Sequence, residues 1–252
     1  MKMIQVDGLT KRYPSFVLND VSLSLGQGRI MGLIGRNGAG KTTMLKSMLN
    51  MVSPNAGRIR LLEKDFPAEE IACKQELGVV LGEINFYMQQ RLSAITKVTS
   101  RFYPAWDNNA YLRYMRLFEL DEQKKVRELS SGMRVKYLIA LALSHRARLL
   151  ILDEPTSGLD PVARDDLLEI FRQLVKTGER SILFSTHITS DLDKCADDIT
   201  YLKDGKVLAT GEKQDVIAHF QSLRRADETD ALSLEEIMVR TEKRNHDDES
   251  AL

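Results

Sequence analysis

The chain has 252 residues, enough for one large α/β domain or a core with a subdomain and an ample hydrophobic interior. Lysine plus arginine equal aspartate plus glutamate at 36 each, so no global charge points toward nucleic acid or an acidic partner. Apolar residues at 43% and charged residues at 29% are ordinary soluble composition, and the longest apolar run, near residues 137–143, falls far short of a bilayer span.

The N-terminus carries no secretory apolar region, and Cys73 and Cys195 show neither C-x-x-C nor metal spacing. A cytosolic protein in a reducing compartment is expected, its cysteines serving as small buried apolar residues. Any association with a membrane must then come through a partner.

In chain order, residues 4–7 and 17–25 read as strands with partial alternation, joined by a turn-rich piece at 10–15. Tyr13 lies in that piece beside two basic residues, where an aromatic ring can stack on a base. Residues 29–34 read as a short buried strand. They run into Gly35-Arg36-Asn37-Gly38-Ala39-Gly40-Lys41-Thr42, and good helix formers at helical spacing follow from Thr43. Strand, glycine-rich loop and helix in this order are the context in which G-x-x-x-x-G-K-[ST] becomes a phosphate site. Glycines let backbone N–H groups converge on a polyphosphate, and the helix N-terminus adds positive potential. Lys41 can reach the terminal phosphates and the Thr42 hydroxyl can take a Mg²⁺ position.

Residues 58–62 and 77–81 read as further strands, the first after the turn Ser53-Pro54-Asn55-Ala56-Gly57. From Gly82 to Trp106 the chain becomes aromatic-rich and irregular, suiting in part a subdomain core and in part an exposed, adhesive surface. Asp107 is an N-cap for a helix with Tyr111, Met115 and Phe118 on one face. Ser130 or Ser131 caps a long helix through Leu143, whose first N–H groups make a second potential anion site.

Leu149-Leu150-Ile151-Leu152-Asp153-Glu154 is a continuous apolar strand ending in two carboxylates. Parallel strands buried on both faces read this way, and ligands gather at their C-terminal ends. Asp153 is thereby placed to hold Mg²⁺ opposite Thr42, and Glu154 to polarise an attacking water. Asp160-Pro161 starts a helix to Thr177, with Gly178 beyond its end. Residues 181–185 form another buried strand, leading to His187 where it could meet a γ-phosphate. Residues 199–202 and 206–209 pair across Asp204-Gly205 as a hairpin. In the acid-rich tail, Ser233-Leu234-Glu235-Glu236 fits a capping box for a short helix with Leu234, Ile237 and Met238 apolar, and residues 245–252 are expected to fray.

With these residues in place, the sequence resembles the ATP-binding subunit of an ABC transporter over roughly residues 4–220. Gly35 to Thr42 match the family's Walker A loop, 149–153 its Walker B strand, Leu129-Ser130-Ser131-Gly132-Met133 its signature motif and Ser157-Gly158-Leu159-Asp160 its D-loop. The resemblance implies an α/β fold: a P-loop NTPase core with a parallel sheet, an N-terminal antiparallel β subdomain and an inserted α-helical subdomain. It divides the chain into an ATPase domain at 1–220 (core about 1–82 and 142–220, helical part about 83–141) and a tail at 221–252. It implies ATP and Mg²⁺ as ligands. The nucleotide set is Tyr13, Gly35, Arg36, Asn37, Gly38, Ala39, Gly40, Lys41, Thr42 and Thr43, completed by Ser130, Gly132 and Asp160. Glu154 is implied as the catalytic carboxylate, with His187 and Lys41 assisting, and Thr42 and Asp153 as metal ligands.

Two motifs depart from the family pattern. Ser131 and Met133 replace the usual second glycine and glutamine of the signature, and Gly82, followed by Glu83, stands where a metal-sensing glutamine is usual, so that Glu83 or water takes its place. These departures, with the Phe102-Tyr103-Pro104-Ala105-Trp106-Asp107 segment, look most like bacterial ABC-2-type exporter subunits for antibiotic resistance or peptide export. The resemblance implies a peripheral subunit on the cytoplasmic face of the plasma membrane, partnered by a separate transmembrane permease and by a second copy of itself or a homologous ATPase. A soluble ABC-type ATPase acting on DNA or ribosomes would need long heptads, a second cassette or a basic stripe, and the chain has none. A regulatory switch that binds but barely hydrolyses is disfavoured by Glu154.

Overall fold

A period of two in the apolar runs decides how the chain is layered. A computed structural model describes residues 1–81, 87–224 and 231–249, and in it ten strands form two sheets among those residues. Strands β1 (Lys2–Tyr13), β2 (Phe16–Gly26), β4 (Ala56–Leu61) and β5 (Lys64–Phe66) make an antiparallel sheet in the order β2-β1-β4-β5. Strands β3 (Ile30–Ile34), β6 (Leu77–Val80), β7 (Leu149–Asp153), β8 (Ser181–Thr186), β9 (Asp198–Lys203) and β10 (Lys206–Glu212) make the second, in the order β10-β9-β3-β8-β7-β6. There β3, β6, β7, β8 and β9 run parallel and β10 joins antiparallel.

Every residue of β3, β7 and β8 is buried, so both faces of the parallel sheet are covered. Met31, Leu33, Leu149, Ile151 and Leu183 point to one side, against the antiparallel sheet and helix α1 (Lys41–Met48). Ile30, Ile34, Leu150, Leu152, Ile182 and Phe184 point to the other, against helices α5 (Ser131–Ser144) and α6 (Pro161–Val175). Each fully buried Leu, Ile or Phe contributes about 1.5–3 kcal/mol of transfer free energy, which is why register slips here are strongly opposed.

Helices α3 (Leu92–Thr99) and α4 (Asn108–Leu117) pack on α5. The Asp107 carboxylate accepts from Ala110 N at 3.0 Å and caps α4, while Tyr111, Met115 and Phe118 are buried as the spacing predicts. A buried polar knot ties the three helices: Thr96 Oγ1 lies 3.1 Å from the Tyr111 hydroxyl and 2.9 Å from that of Tyr137, which donates to Leu92 O. Both cysteines are buried and free. Burial pushes both thiols up, Cys195 to about 12, so neither is a nucleophile at neutral pH.

Several elements differ from expectation. β1 runs on to Tyr13, reducing the predicted turn at 10–15 to Pro14-Ser15; Gly8 at φ +62° lies in one of its bulges, which let it pair with both neighbours. β5 follows β4 through a tight turn with positive φ at Leu62 and Glu63, residues that give no turn signal. Helices α2 (Glu70–Gln75), α7 (Thr189–Cys195) and α8 (Lys213–His219) are too short to show periodicity. α6 stops at Val175, before Thr177.

The tail requires the largest correction. Its helix α9 (Leu234–Glu249) has 16 residues and continues through 245–249, where fraying was expected. The capping box at Ser233 and Glu236 is formed, and Leu232, Leu234 and Ile237 are buried on the cassette, which holds the helix down. Inserting a charge at Leu234 removes a buried contact of about 2–5 kcal/mol, so Leu234→Asp is expected to speed tryptic cleavage after Arg240 and Lys243 at least tenfold. Unchanged cleavage rates would show that α9 is not docked.

Candidate nucleotide site

The C-terminal ends of β3, β7 and β8 lie side by side, and each delivers chemistry to one cleft. β3 runs into the glycine-rich loop. Two of its glycines are fixed by crowding: a Cβ at Gly35 would lie 2.2 Å from Leu202 O, and one at Gly40, at φ +106°, would meet the Phe16 ring at 2.7 Å. Gly40 is also the cap of α1, whose first turn holds no acidic residue, so its N–H groups face the cleft without a competing anion.

Lys41 opens α1 and is 6% exposed. Its ammonium donates to Gly35 O at 2.7 Å and Arg36 O at 3.3 Å, and lies 3.3 Å from Glu154 Oε1. Next along the helix, Thr42 Oγ1 donates to Asp153 Oδ2 at 2.8 Å. Asp153 ends β7, 5% exposed, and its second oxygen accepts from the Ser185 hydroxyl. A carboxylate this buried is tolerable because both oxygens are bonded.

Glu154 follows in the left-handed region at φ +51°, a strained conformation for a non-glycine residue. Its N–H is held by Ser185, 3.1 Å from the carbonyl and 3.0 Å from the hydroxyl. The turn aims its carboxylate into the cleft, where Oε2 lies 2.8 Å from His187 Nδ1. Lys41, Glu154 and His187 therefore form one chain of contacts. The cleft encloses about 800 Å³; Arg36, Asn37, Gly38 and Thr43 line it beside Lys41 and Thr42. Tyr13 stands at its edge, 40% exposed, with Lys11 Nζ 5.3 Å from the ring centre.

Three of the expected nucleotide residues stand apart from this cleft and beside one another. Ser130 caps α5 by accepting from Met133 N at 3.2 Å. Asp160 caps α6, accepting from Val162 N and Ala163 N at 3.0 Å, and these N–H bonds hold its carboxyl below the usual range. Ser131 Oγ donates to Gly158 O at 3.2 Å, tying the two helix starts together, and a Cβ at Gly132 would press on Leu159 at 3.2 Å. The hydroxyl of Ser131, one of the departures in the signature segment, thus has a structural partner. Gly82 and Glu83 lie outside the described residues.

Sequence reasoning missed Ser185 and Phe16. Ser185 binds both carboxylate-bearing residues, and the signal was a hydroxyl interrupting an apolar strand one step from its end. Phe16 carried no motif; it lines the cleft, and its ring lies where a Cβ at Gly40 would fall.

A protein-family model described as ABC transporter matches residues 18–157, more than half of the chain. The chain belongs to the ABC transporter family. It is 33% identical over 223 residues to the Nod factor export ATP-binding protein I of Ralstonia nicotianae, an alignment covering 86% of this chain and 69% of that protein. It is 31% identical over 229 residues to the ABC transporter ATP-binding protein YtrB of Bacillus subtilis, covering 90% and 78%. Among solved structures, an ATP-binding subunit of an ABC transporter superposes with a TM-score of 0.80 at 28% identity, covering 94% of this chain and 98% of that one. The chain is thus an ATP-binding, ATP-hydrolysing transporter subunit with the α/β cassette fold. No helix among the described residues is long and apolar enough to cross a membrane. Ser185→Ala removes one bond from Asp153 and one from the Glu154 backbone; at about 1–1.5 kcal/mol for their loss, ATPase kcat is expected to fall roughly tenfold. An unchanged kcat in a steady-state phosphate-release assay would deny Ser185 that role.

Proposed function

We propose that the chain is the motor of an exporter, pairing head-to-tail with a second copy or a homologous ATPase so that two ATP molecules are closed between the chains. The separation of two anion-attracting helix starts carries this reading. α1 and α5 both present N–H-rich ends, the second capped by Ser130, yet only α1 opens onto the cleft of its own chain. A C₂ pairing brings Ser130 and Gly132 of one chain to the cleft of the other and closes two equivalent sites.

Within each site Tyr13 stacks on the base, the loop from Gly35 to Gly40 wraps the phosphates, and Lys41, with Thr43 beside it, binds their terminal oxygens. Glu154 takes the proton of the attacking water while His187, already 2.8 Å away, orients the carboxylate and reads the γ-phosphate. Asp160 holds the start of α6 close to the neighbouring chain. The donor set suits Mg²⁺: the Thr42 hydroxyl and the Asp153 carboxylate are hard oxygen ligands aimed at each other. Bound there, the ion would neutralise phosphate charge. ATP closes the pair and hydrolysis releases it, a shift of populations set by phosphate contacts.

The stroke is passed to a separate permease through an apolar groove of about 500 Å³ between the core and the helical part. Leu49, Met51, Val79, Tyr87, Leu138 and Tyr103 line it. Tyr103 stacks on His145 with ring centres 3.8 Å apart, and burial holds the imidazole below its ordinary value, keeping it neutral. Tyr87 and Phe102 are each 69% exposed and Met51 60%, apolar surface suited to receive a cytoplasmic helix of a membrane protein. Phe86, within the aromatic-rich stretch from Gly82 to Trp106, lies outside the described residues. The division into core, helical part and tail at about 83–141 and 221–252 belongs to the same proposal, as does a position on the cytoplasmic face of the plasma membrane. Export, rather than import, is supported by the name of the Nod factor relative.

The test is recovery of partners from native membranes with Glu154→Gln chain, with and without Mg-ATP. A polytopic membrane protein should be retained, and Met51→Glu with Tyr87→Ala should release it while ATPase of the isolated subunit stays within about twofold, since neither residue lines the cleft. Retention of ribosomes or nucleic acid instead would overturn the transport reading.

A further inference from the structure

The docked tail reaches Arg36, a residue that lines the nucleotide cleft. Glu242, in the third turn of α9, is 18% exposed at its side chain and lies 3.5 Å from Arg36 Nη1, the guanidinium of the second residue of the glycine-rich loop. It is also held from below: the Tyr201 hydroxyl of β9 donates to Oε1 at 3.4 Å. The same stretch of α9 is pinned by Lys203, 8% exposed, whose ammonium donates to Thr241 O at 2.7 Å, and by Arg240, which donates to Leu223 O at 3.0 Å. Arg36 lines the cleft together with Lys41 and Thr42. A carboxylate from the far end of the chain therefore shares a cation with the site that receives a polyphosphate.

We infer that Glu242 is a positioning residue for ATP binding: it holds Arg36 between two alternative anionic partners, its own carboxylate and the nucleotide phosphates, so that nucleotide and docked tail compete. The contact it offers is weak, one 3.5 Å approach to a side chain that is 60% exposed. A phosphate group carries more charge and accepts two parallel guanidinium bonds, so it takes Arg36 from the carboxylate. Glu242 cannot follow. Its stretch of α9 is held by Lys203 at Thr241 O and by Arg240 at Leu223 O, and once Arg36 has turned away a negative carboxylate faces the phosphates with less compensation. That repulsion raises the free energy of the nucleotide complex and of the docked second half of α9 together. By reciprocity, whatever ATP does to α9, α9 does to ATP.

The inference rests on the cleft holding ATP, which binding to the unaltered chain checks separately. Full-length Glu242→Gln keeps the shape and the bond from Tyr201 but removes the charge. It should lower KM and the dissociation constant for ATP about fivefold, a coupling of ordinary size, with kcat and thermal midpoint unchanged. In an Arg36→Ala background the same substitution should leave KM and affinity as they are. Amide exchange at 238–243 should rise when ATP is added to Glu154→Gln chain, and should not rise when Glu242→Gln is also present. A KM that is unchanged or higher in Glu242→Gln, or an effect that persists without Arg36, would overturn the inference. So would a change confined to the thermal midpoint, which is what a merely structural glutamate would give.

Discussion

The cleft depends on keeping two ionised groups, Lys41 and Asp153, in a nearly dry place. They are 6% and 5% exposed, and each would be costly there without partners. The structure compensates them from three strand ends at once. Carbonyls of the loop after β3 and the carboxylate after β7 surround the ammonium; a threonine of α1 and a serine of β8 saturate the aspartate. That arrangement requires β3, β7 and β8 to be adjacent and parallel, and the continuous apolar runs of those strands require both faces to be covered. The antiparallel sheet on one side and the helices on the other are the cover. The site and the layers are consequences of one constraint.

Much of this was legible in the sequence because the constraint writes itself into runs of residues. Leu149 to Leu152 leading into Asp153 could only be a buried strand ending at a polar site, and Gly35 and Gly40 stand where the backbone or a ring lies too close for a Cβ. What was hidden was either short, unpatterned or distant. The Leu62-Glu63 turn uses positive φ at residues that do not advertise it, so β5 went unseen. Ser185 looks like the polite end of a strand until it is found bonded to both Asp153 and Glu154. The length of α9 was hidden because its charged second half shows little amphipathic pattern; Lys203 and Tyr201, some forty residues earlier, hold it in place.

The signature segment shows how far one chain can take the chemistry. Ser130, Gly132 and Asp160 are organised with respect to one another through Ser131 and Gly158, and none of the three lines the cleft of its own chain. Two half-sites on one chain, each well formed and turned away from the other, are what a head-to-tail pair requires. The apolar groove beside Tyr103 and His145 shares no lining residue with the cleft, so the proposed pairing and the proposed docking of a permease use different faces.

Complementation between two disabled chains addresses that composite site most directly. Lys41→Ala breaks the cleft and Ser130→Arg breaks the opposing helix start, so each chain alone should be inactive. In a mixture, a mixed pair concentrates both lesions in one site and leaves the other intact. Random pairing then predicts that mixing restores about a quarter of the unaltered ATPase activity, since half of the pairs are mixed and each has one working site. Activity in Ser130→Arg chain alone, or no recovery on mixing, would contradict a site shared between two chains.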